Sequence, residues 1–429
     1  MANRYWVGGT ATWDGTALLK WSTTSGGIGG AAVPTTADIV FFDAASGAGT
    51  VTLGISPTVN FLTFAGFTGT FAFGTNNITL SATAANQFVG STTMTVTGTP
   101  VINISTTTGS IGINAVAVTE ANSISFNITG TNTSASIVVT GSVKNLNFGT
   151  ATGALAANTR TIYGNLTLSS TMSLTAGTTI TTFGATSGTQ FITSNAKTLD
   201  FPVTINGVGG TVQLVDALTI GSTRTLTLTN GTFNSNAKSV TCGIFSANNT
   251  NTKTFTITNS TFTVLSGNST TNGFFLNGSG TTYNVTGSNV VFTTSIAARY
   301  WGGSGSTFPA VTMSGTGQLI IGASGVSGTI TTLSNTVQPC TVSLNSNAVT
   351  LTVTNFNLNG TAGNLVTLNC DVAGTARTIS KSTGTVNALY LNVKDTTATG
   401  GAKWYANSSN DLGNNTGWNI FNNSFLAVF

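Results

Sequence analysis

Apolar and polar residues alternate with a period of two along much of the chain. The segments "TRTLTLTNGTF" (223–233), "KTFTITNSTFTV" (253–264) and "VTLTVTNFNLNG" (349–360) place Val, Leu, Ile or Phe between Thr, Ser and Asn. Asn, Gly or Ser bounds each segment, which is typical of β-strands separated by turns. Apolar residues at helical spacing are missing, and so are the Leu, Glu and Lys-rich surfaces of helices. The pattern therefore predicts an all-β protein.

The strand pattern repeats irregularly along the sequence. "TRTLTLTNGTF" at 223–233 returns as "TKTFTITNSTF" at 252–262, and "SNAK" stands at 194–197 and 235–238. Six basic residues come directly before a Thr or Ser and then an apolar residue, and we interpret them as one exposed corner where a turn ends and a strand begins: Arg160, Lys197, Arg224, Lys238, Lys253 and Arg377. Because their spacing is uneven, it disfavours a propeller, whereas a solenoid tolerates coils of unequal length.

These patterns predict an elongated parallel β-helix, or β-solenoid, with aromatic-rich ends. Inward positions would stack Val, Leu, Ile and Phe, and outward positions would stack Thr and Asn in register. Coils of roughly 20 to 25 residues would give about 14 to 18 coils in the middle of the chain. An array of β-sandwich modules is the alternative fold.

The composition agrees with stacked strands. Charged residues make up 5% of the 429 residues, although 40% are apolar and the mean hydropathy is positive at +0.27. Residues 44–119 and 300–370 contain no charged side chain at all. Like charges stacked about 4.8 Å apart would repel each other, so a solenoid disfavours charge on every coil. The 52 glycines and many Asn residues suit corners with positive φ.

The largest side chains are concentrated near the two ends of the sequence. Of six tryptophans, three lie within the first 21 residues and two within the last 26. Since a solenoid exposes unpaired strand edges and an open core at its ends, we expect these aromatic residues to close both ends. The prediction divides the chain into an N-terminal cap (1–45), a body (46–400) and a C-terminal cap (401–429). The predicted cap residues are Trp6, Trp13, Trp21, Phe41, Phe42, Trp404, Tyr405, Trp418 and Phe421.

The sequence offers little for catalysis, and we predict a protein that is not an enzyme. The absence of histidine excludes Ser-His-Asp and Cys-His systems. Asp14 and Asp38 are about one coil apart, but we interpret them, like the other aspartates, as turn residues that bind backbone N–H groups. Neither a Walker A loop nor a GxGxxG motif opening a helix is present. We expect neither a cofactor nor a metal site.

Other features narrow the class of partner. The net charge of +4 comes from a scarcity of acids, with Glu120 as the one glutamate, and Lys and Arg form no cluster that suits nucleic acid. No apolar run is long enough to insert into a membrane. Cys242, Cys340 and Cys370 are far apart, so each is expected to pack as a small apolar residue. The start of the sequence lacks an apolar signal-peptide core, so we expect no export by the general secretory route.

Three stretches carry a resemblance to a known family. They are the opening "RYWVGGTATWDG" continuing to residue 44, the middle segment 192–233, and the ending "TATGGAKWYANSSNDLGNNTGWNIF" at 397–421. They resemble Thr/Gly-rich virion proteins of tailed bacteriophages, mostly uncharacterised, described as tail-fibre or structural proteins. The resemblance implies an all-β, solenoid-like virion component and brings no catalytic residues.

The resemblance and the residues together predict a non-enzymatic virion surface protein, a tail fibre, spike or similar appendage that contacts the host. It would be assembled in the host cytoplasm and released by lysis. Expected partners are other virion proteins, a host surface glycan or receptor, and further copies of the chain in a homo-oligomer. The alternatives are a capsid or tail decoration protein and a tail-associated polysaccharide depolymerase.

Overall fold

A computed structural model of the chain describes residues 1–82, 86–131, 135–265, 273–276, 280–293, 299–303, 307–322, 328–347 and 350–422, with the side chains of 299–303 and 309 excepted. It is a parallel β-solenoid of about 15 turns, with 50% of residues in strands and 2% in helices. The predicted fold is therefore confirmed, and the sandwich array is wrong. Contacts divide the chain into two compact units, Met1–Asp216 and Ala217–Phe429.

Unit 1 consists of short strands joined by turns and two short 3₁₀ helices, Ala44–Ser46 and Glu120–Asn122. Its strands are β1 Asn3–Trp6, β2 Ala11–Trp13, β3 Trp21–Ser22, β4 Ile39–Phe41, β5 Thr50–Leu53, β6 Thr58–Val59, β7 Phe61–Thr63, β8 Thr70–Ala72, β9 Asn77–Leu80, β10 Phe88–Val89, β11 Thr95–Thr97, β12 Val101–Ile104, β13 Ile111–Asn114, β14 Ile124–Ile128, β15 Ser136–Asn147, β16 Ala154–Leu155, β17 Arg160–Ile162, β18 Leu166–Thr167, β19 Ser173–Leu174, β20 Thr181–Phe183, β21 Thr189–Thr193, β22 Thr198–Leu199 and β23 Val203–Leu214.

The early coils of unit 1 build three parallel sheets, and the coils that begin with β4, β7 and β10 contribute one strand to each. The first sheet runs β1, β4, β7, β10, β13, β15, β16 and β19, and the second runs β2, β5, β8 and β11. The third sheet begins β6, β9, β12, β14 and β15, then splits into the tracks β17–β20 and β18–β21, which both pair with β23. From β4 to β15, partners in the first sheet lie 22 to 26 residues apart, close to the predicted coil length.

Unit 2 is built in the same way. Its strands are β24 Leu218–Ile220, β25 Thr225–Asn234, β26 Val240–Cys242, β27 Ile244–Ala247, β28 Lys253–Thr256, β29 Thr261–Val264, β30 Phe274–Leu276, β31 Thr281–Asn284, β32 Asn289–Phe292, β33 Arg299–Gly303, β34 Thr307–Met313, β35 Gln318–Ile321, β36 Gly328–Asn335, β37 Thr341–Leu344, β38 Thr350–Asn357, β39 Val366–Cys370, β40 Arg377–Ser380, β41 Thr385–Leu389, β42 Leu391–Val393, β43 Thr396–Thr399, β44 Lys403–Asn407, β45 Asn410–Asp411 and β46 Trp418–Phe421.

One sheet of unit 2 runs from β25 through β27, β30, β33, β35, β37, β39, β42 and β45, and another runs from β24 through β26, β29, β32, β34, β36, β38, β40 and β43. The strands β41, β44 and β46 form a small third sheet. Every pairing within these sheets that the structure describes is parallel, as the solenoid requires.

Period-two alternation places apolar side chains in continuous inward columns. In unit 1 one column is Val40, Leu62, Phe88, Ile113 and Val139, each in register with the next and at most 1% exposed. A unit 2 column runs Leu218, Val240, Phe262, Val290, Val311, Leu333 and Phe356. Burying each such side chain contributes about 1.5–3 kcal/mol, so the columns supply the main stabilising free energy.

The repeated "SNAK" segments form one kind of corner. Asn195 and Ala196 have φ of 48° and 61°, and Asn236 and Ala237 have φ of 51° and 58°. In the first segment the N–H of Lys197 donates to the Ser194 carbonyl at 3.0 Å. Two successive left-handed residues closed by such a bond make a tight turn of the primed type, which reverses the chain without interrupting the stack.

The three cysteines are buried and unpaired, as predicted for small apolar residues. Cys242 lies in the inward file of β26, next to the Val264 position of β29. Burial raises the pKa of Cys340 to about 11, and it raises the pKa values of Cys242 and Cys370 as well. These thiols are therefore protonated at neutral pH and belong to the core.

Close stacking of successive coils makes Gly207 a sensitive position. A Cβ added there would lie 1.9 Å from the carbonyl oxygen of Ala185, and backbone cannot move aside without disturbing the sheet. We predict that Gly207→Ala lowers the free energy of unfolding by about 3 kcal/mol, the upper range for overpacking. Urea denaturation followed by circular dichroism measures the loss.

Gly15→Ala is the matched control for this substitution. Gly15 is exposed, and an added Cβ meets nothing within 4 Å. Its free energy of unfolding should therefore stay within about 0.5 kcal/mol of the wild type. Equal losses in the two variants would contradict the close contact between successive coils.

Candidate functional site: aromatic clusters and polar ladders

The first candidate site is the N-terminal aromatic cluster, which consists of Trp6, Trp13, Trp21 and Phe42. All four side chains are fully buried. Trp21 meets Trp6 and Trp13 edge to face, with ring centroids 5.1 Å apart in both pairs. Phe42 lies 5.8 to 6.1 Å from each of the three indoles. Such pairs contribute about 0.5–1.5 kcal/mol each beyond their area burial, so the predicted cap residues here form one packed unit.

Strand β3 covers the outer edge of the first coil. It pairs antiparallel with β1, opposing Trp21 to Trp6 and Ser22 to Tyr5, while β1 pairs parallel with β4 on its other side. An exposed parallel strand edge is a template for association with another chain. The N-terminal aromatic cluster therefore lies where an edge is covered, which is the geometry that a cap needs.

Phe41 does not join this cluster. Because neighbouring residues of a strand face opposite sides, Val40 and Phe42 point inward and Phe41 points outward. Its ring is half-buried and stacks on Tyr5 with centroids 4.5 Å apart. The sequence prediction grouped Phe41 with Phe42 and omitted Tyr5. The period-two pattern already indicated that Phe41 and Phe42 face opposite sides of the sheet.

The C-terminal aromatic cluster consists of Trp404, Trp418 and Phe356. Trp404 and Trp418 are register partners on β44 and β46, and their centroids are 4.9 Å apart. Phe356 packs edge to face on both, at 5.6 and 5.9 Å. Sequence reasoning missed Phe356, because nothing distinguishes it from the other phenylalanines of the strand pattern.

Tyr405 and Phe421 lie on the opposite face of the same strands. Their rings stack at 6.3 Å, and Phe421 is 48% exposed. Residues 423–429 of the predicted C-terminal cap lie outside the described residues. The side chain of Trp301 also lies outside them. The boundaries at residues 45 and 400, and the capping role itself, stay predictions.

Three aspartates bind the backbone of turns one coil earlier. Asp216 accepts the N–H groups of Ser194 and Asn195 at 2.7 and 2.6 Å. Asp371 accepts the Ser346 N–H at 2.6 Å, and Asp395 accepts the Gly374 N–H at 3.0 Å. These carboxylates tie each turn to the coil that follows it.

Other aspartates hold turns in their own neighbourhood. Asp14 accepts the Thr16 N–H and pairs with Lys20 at 2.8 Å, and Asp38 accepts the Thr35 and Ala2 N–H groups. Asp43 caps the first 3₁₀ helix, and Asp411 accepts the Gly413 N–H. The predicted turn role of Asp14 and Asp38 is confirmed. Their carboxylates accept hydrogen bonds from structural donors.

The basic residues complement the aspartates, because they donate hydrogen bonds to the carbonyl groups of turns. Lys253 is 1% exposed, and its Nζ donates to the Asn249 and Asn251 carbonyls at 2.6 and 3.2 Å. Arg160 is 2% exposed, donates to the Asn158 and Ala156 carbonyls, and lies 5.5 Å over the ring of Phe201. Burial lowers the pKa of Arg160 to about 10.

The six basic residues of the predicted corner do lie where strands begin, but the prediction that the corner is exposed was wrong. Arg160 and Lys253 are buried, and Lys197, Arg224, Lys238 and Arg377 are half-buried. The physical reason is that a turn leaves carbonyl groups without strand partners, and a long cationic side chain can fold back to satisfy them.

Polar side chains on the outer faces stack into ladders. In unit 1 the amide of Asn127 donates to Asn103 at 3.1 Å, and that of Asn147 donates to Asn127 at 3.4 Å. In unit 2 Asn410 donates to Asn392 at 2.9 Å, and Asn422 donates to Asn410 at 3.2 Å. Threonines form similar files, such as Thr161, Thr182 and Thr204. Long parts of the surface are therefore uncharged hydroxyl and amide groups.

The described residues contain no group of three or more His, Cys, Asp or Glu side chains that could hold a metal ion. Within the same part of the chain, no helix is long and apolar enough to cross a membrane.

The turn clamp at Asp395 makes stability depend on pH. The Asn414 side chain, and then the Gly374 N–H, lower the pKa of Asp395 below its usual value of 3.8. A carboxyl group whose pKa is lower in the folded than in the unfolded protein stabilises the fold. This stabilisation is fully present above the unfolded-state pKa and is lost as the pH falls through the folded-state pKa.

We predict that Asp395→Asn is about 1–2 kcal/mol less stable than the wild type at pH 7, because a charged acceptor is lost. Urea denaturation at pH 7 and at pH 2.5 should show this gap narrowing in acid, and an equal gap at both pH values would contradict the clamp.

The capping role predicts a specific consequence of removing Trp21. Trp21→Ala should lose about 3–5 kcal/mol and also free the edge of β1 for association with other chains. Phe245→Ala is the control, because Phe245 is fully buried among Phe255, Phe262 and Phe274 and should cost a similar amount without freeing an edge. Sedimentation velocity should show concentration-dependent association beyond the wild-type state for Trp21→Ala alone. Equal association of both variants would count against the cap.

No protein-family model, no curated protein and no solved structure matches the chain. The resemblance to virion proteins of tailed bacteriophages therefore stays a prediction from the sequence. The fold, the aromatic clusters and the polar ladders are the observations from which a function can be argued.

Proposed function

We propose that the protein is a non-enzymatic surface protein of a tailed-bacteriophage virion, a fibre, spike or similar appendage that contacts the host. The observation that carries the proposal is that charged and uncharged polar side chains occupy different parts of the fold. Charged groups bind the backbone of turns, and the faces of the coils carry uncharged ladders of Thr, Ser and Asn.

The structural hydrogen bonds of the carboxylates support a role without catalysis. Glycoside hydrolysis uses two carboxyl groups that face each other across a sugar and exchange protons with it. Asp14, Asp38, Asp216, Asp371 and Asp395 each accept hydrogen bonds from turn groups of the protein. Recruiting one of them for proton transfer would remove a turn clamp, so these groups suit structure better than chemistry.

The polar ladders suit contact with a hydrated glycan. Hydroxyl and amide groups both donate and accept hydrogen bonds, as sugar hydroxyls do. Because neighbouring coils hold the ladder groups about 4.8 Å apart on rigid strands, little side-chain entropy is lost when a ligand binds. The half-buried stack of Tyr5 on Phe41 adds an aromatic surface. A homo-oligomer bound to other virion proteins would repeat these faces.

Location on the particle tests the proposal. Antibody-labelled electron microscopy should place the protein on the tail, in tens of copies or fewer, and the purified protein should slow adsorption of the phage to its host. The same protein after heat unfolding is the control and should have no effect. Labelling spread evenly over the capsid would favour the decoration alternative, and release of reducing ends from host polysaccharide would favour the depolymerase.

A further inference from the structure

A groove of about 440 Å³ lies on unit 1 beside the segment that joins β13 to β14. It is lined by Gly98, Pro100, Glu120, Ala121, Ser123, Lys144 and Thr186. The segment leaves the sheets and crosses later coils, since the carbonyl of Val118 accepts a hydrogen bond from the Tyr163 hydroxyl at 3.3 Å. The groove is therefore a concave site formed where this segment passes along the coils of unit 1.

The groove contains the ion pair of Glu120 with Lys144. Glu120 is the chain's one glutamate, and Oε1 lies 3.4 Å from Lys144 Nζ. Oε2 accepts the N–H and the Oγ1 hydroxyl of Thr186, each at 3.0 Å. The three residues come from different coils, so the folded solenoid alone brings them together.

The two carboxylate oxygens of Glu120 have different partners. Oε2 ties the crossing segment to Thr186, which is the structural contact. Oε1 contacts Lys144 Nζ, and both groups can make further hydrogen bonds. A carboxylate oxygen has two acceptor sites, and an ammonium group has three donors. The Lys144 and Glu120 side chains remain 40% and 24% exposed, so that capacity is open to solvent.

The ionisation state of Glu120 is fixed by its neighbours. Burial alone would raise its pKa, but the Thr186 donors and Lys144 outweigh burial and hold the pKa below the usual value. At neutral pH the groove therefore offers a carboxylate acceptor and an ammonium donor side by side, with no net charge.

We propose that this groove binds one neutral hexose unit of a surface glycan. Adjacent sugar hydroxyls would donate to Glu120 Oε1 and accept from Lys144 Nζ, while Pro100 and Ala121 would contact the apolar face of the ring. The volume lies within the range of small-molecule sites, and the balanced pair gives no advantage to an anionic sugar. The inference rests on the proposed host contact and names its ligand class.

The test uses the whole protein and the methyl glycosides of glucose, galactose, mannose and rhamnose, with glucuronate as the anionic probe. Saturation-transfer NMR and titration should show millimolar binding of at least one neutral glycoside. Glu120→Gln and Lys144→Met should each weaken it about tenfold or more, because a hydrogen bond to a charged group is lost. Binding by no neutral glycoside, or by glucuronate alone, would overturn the inference.

Two further variants separate binding from folding. Lys20→Met breaks the Asp14–Lys20 pair, which lies outside the groove lining, and should leave affinity unchanged. Ala121→Trp adds a large side chain to the groove lining from an exposed position and leaves Glu120 and Lys144 unchanged, and it should abolish binding with an unchanged melting temperature. Unchanged affinity in Glu120→Gln, Lys144→Met and Ala121→Trp would overturn the assignment.

The outcomes also separate this inference from the proposed function. If Glu120→Gln protein slows phage adsorption as well as the wild type does and no glycoside binds, the groove assignment fails and host contact stands. If a glycoside binds in the groove but the protein is missing from the particle, the groove assignment stands and the virion role fails.

Discussion

The parallel register of neighbouring strands is the constraint on which the other features depend. Each residue lies about 4.8 Å from its counterpart on the next coil, so a side chain meets a neighbour in the same environment. An inward position then favours an apolar residue on coil after coil, as in the column from Val40 to Val139. An outward position favours groups that can hydrogen-bond to their own kind, as Asn103, Asn127 and Asn147 do. A charged side chain needs a partner of its own at either position, as Arg160 and Lys253 find in turn carbonyls at the starts of their strands.

The same constraint explains where charged residues occur. Turns interrupt the ladder and leave N–H and carbonyl groups that need partners. Asp216 and Asp371 supply acceptors to such turns, while Lys253 and Arg160 supply donors. Ser346 has both kinds of partner: its N–H donates to the Asp371 carboxylate, and its carbonyl accepts from the Arg377 guanidinium. The 5% of charged residues is thus largely committed to structure, and Glu120 with Lys144 is the pair that also faces an open groove.

The sequence predicts the fold well because period-two alternation and coil length are direct consequences of stacking. It also predicts that Trp6, Trp13 and Trp21 belong together, since large apolar residues close in sequence share a core. It cannot predict that Phe356 packs on Trp404 and Trp418, because that contact depends on register between distant strands. The burial of Lys253 and the meeting of Glu120 with Thr186 are missed for the same reason, as both are set by turn paths that alternation does not encode.

In-register parallel stacking can be measured directly in solution. Thr161 pairs with Thr182, and Thr182 pairs with Thr204, on the half-exposed faces of β17, β20 and β23. A bifunctional bimane, which fluoresces strongly once both arms have reacted, should bridge the Thr161→Cys/Thr182→Cys pair at about 4.8 Å. It should not bridge Thr161→Cys/Thr204→Cys, two coils apart at about 10 Å. Bridging of the second pair but not the first would contradict the solenoid register.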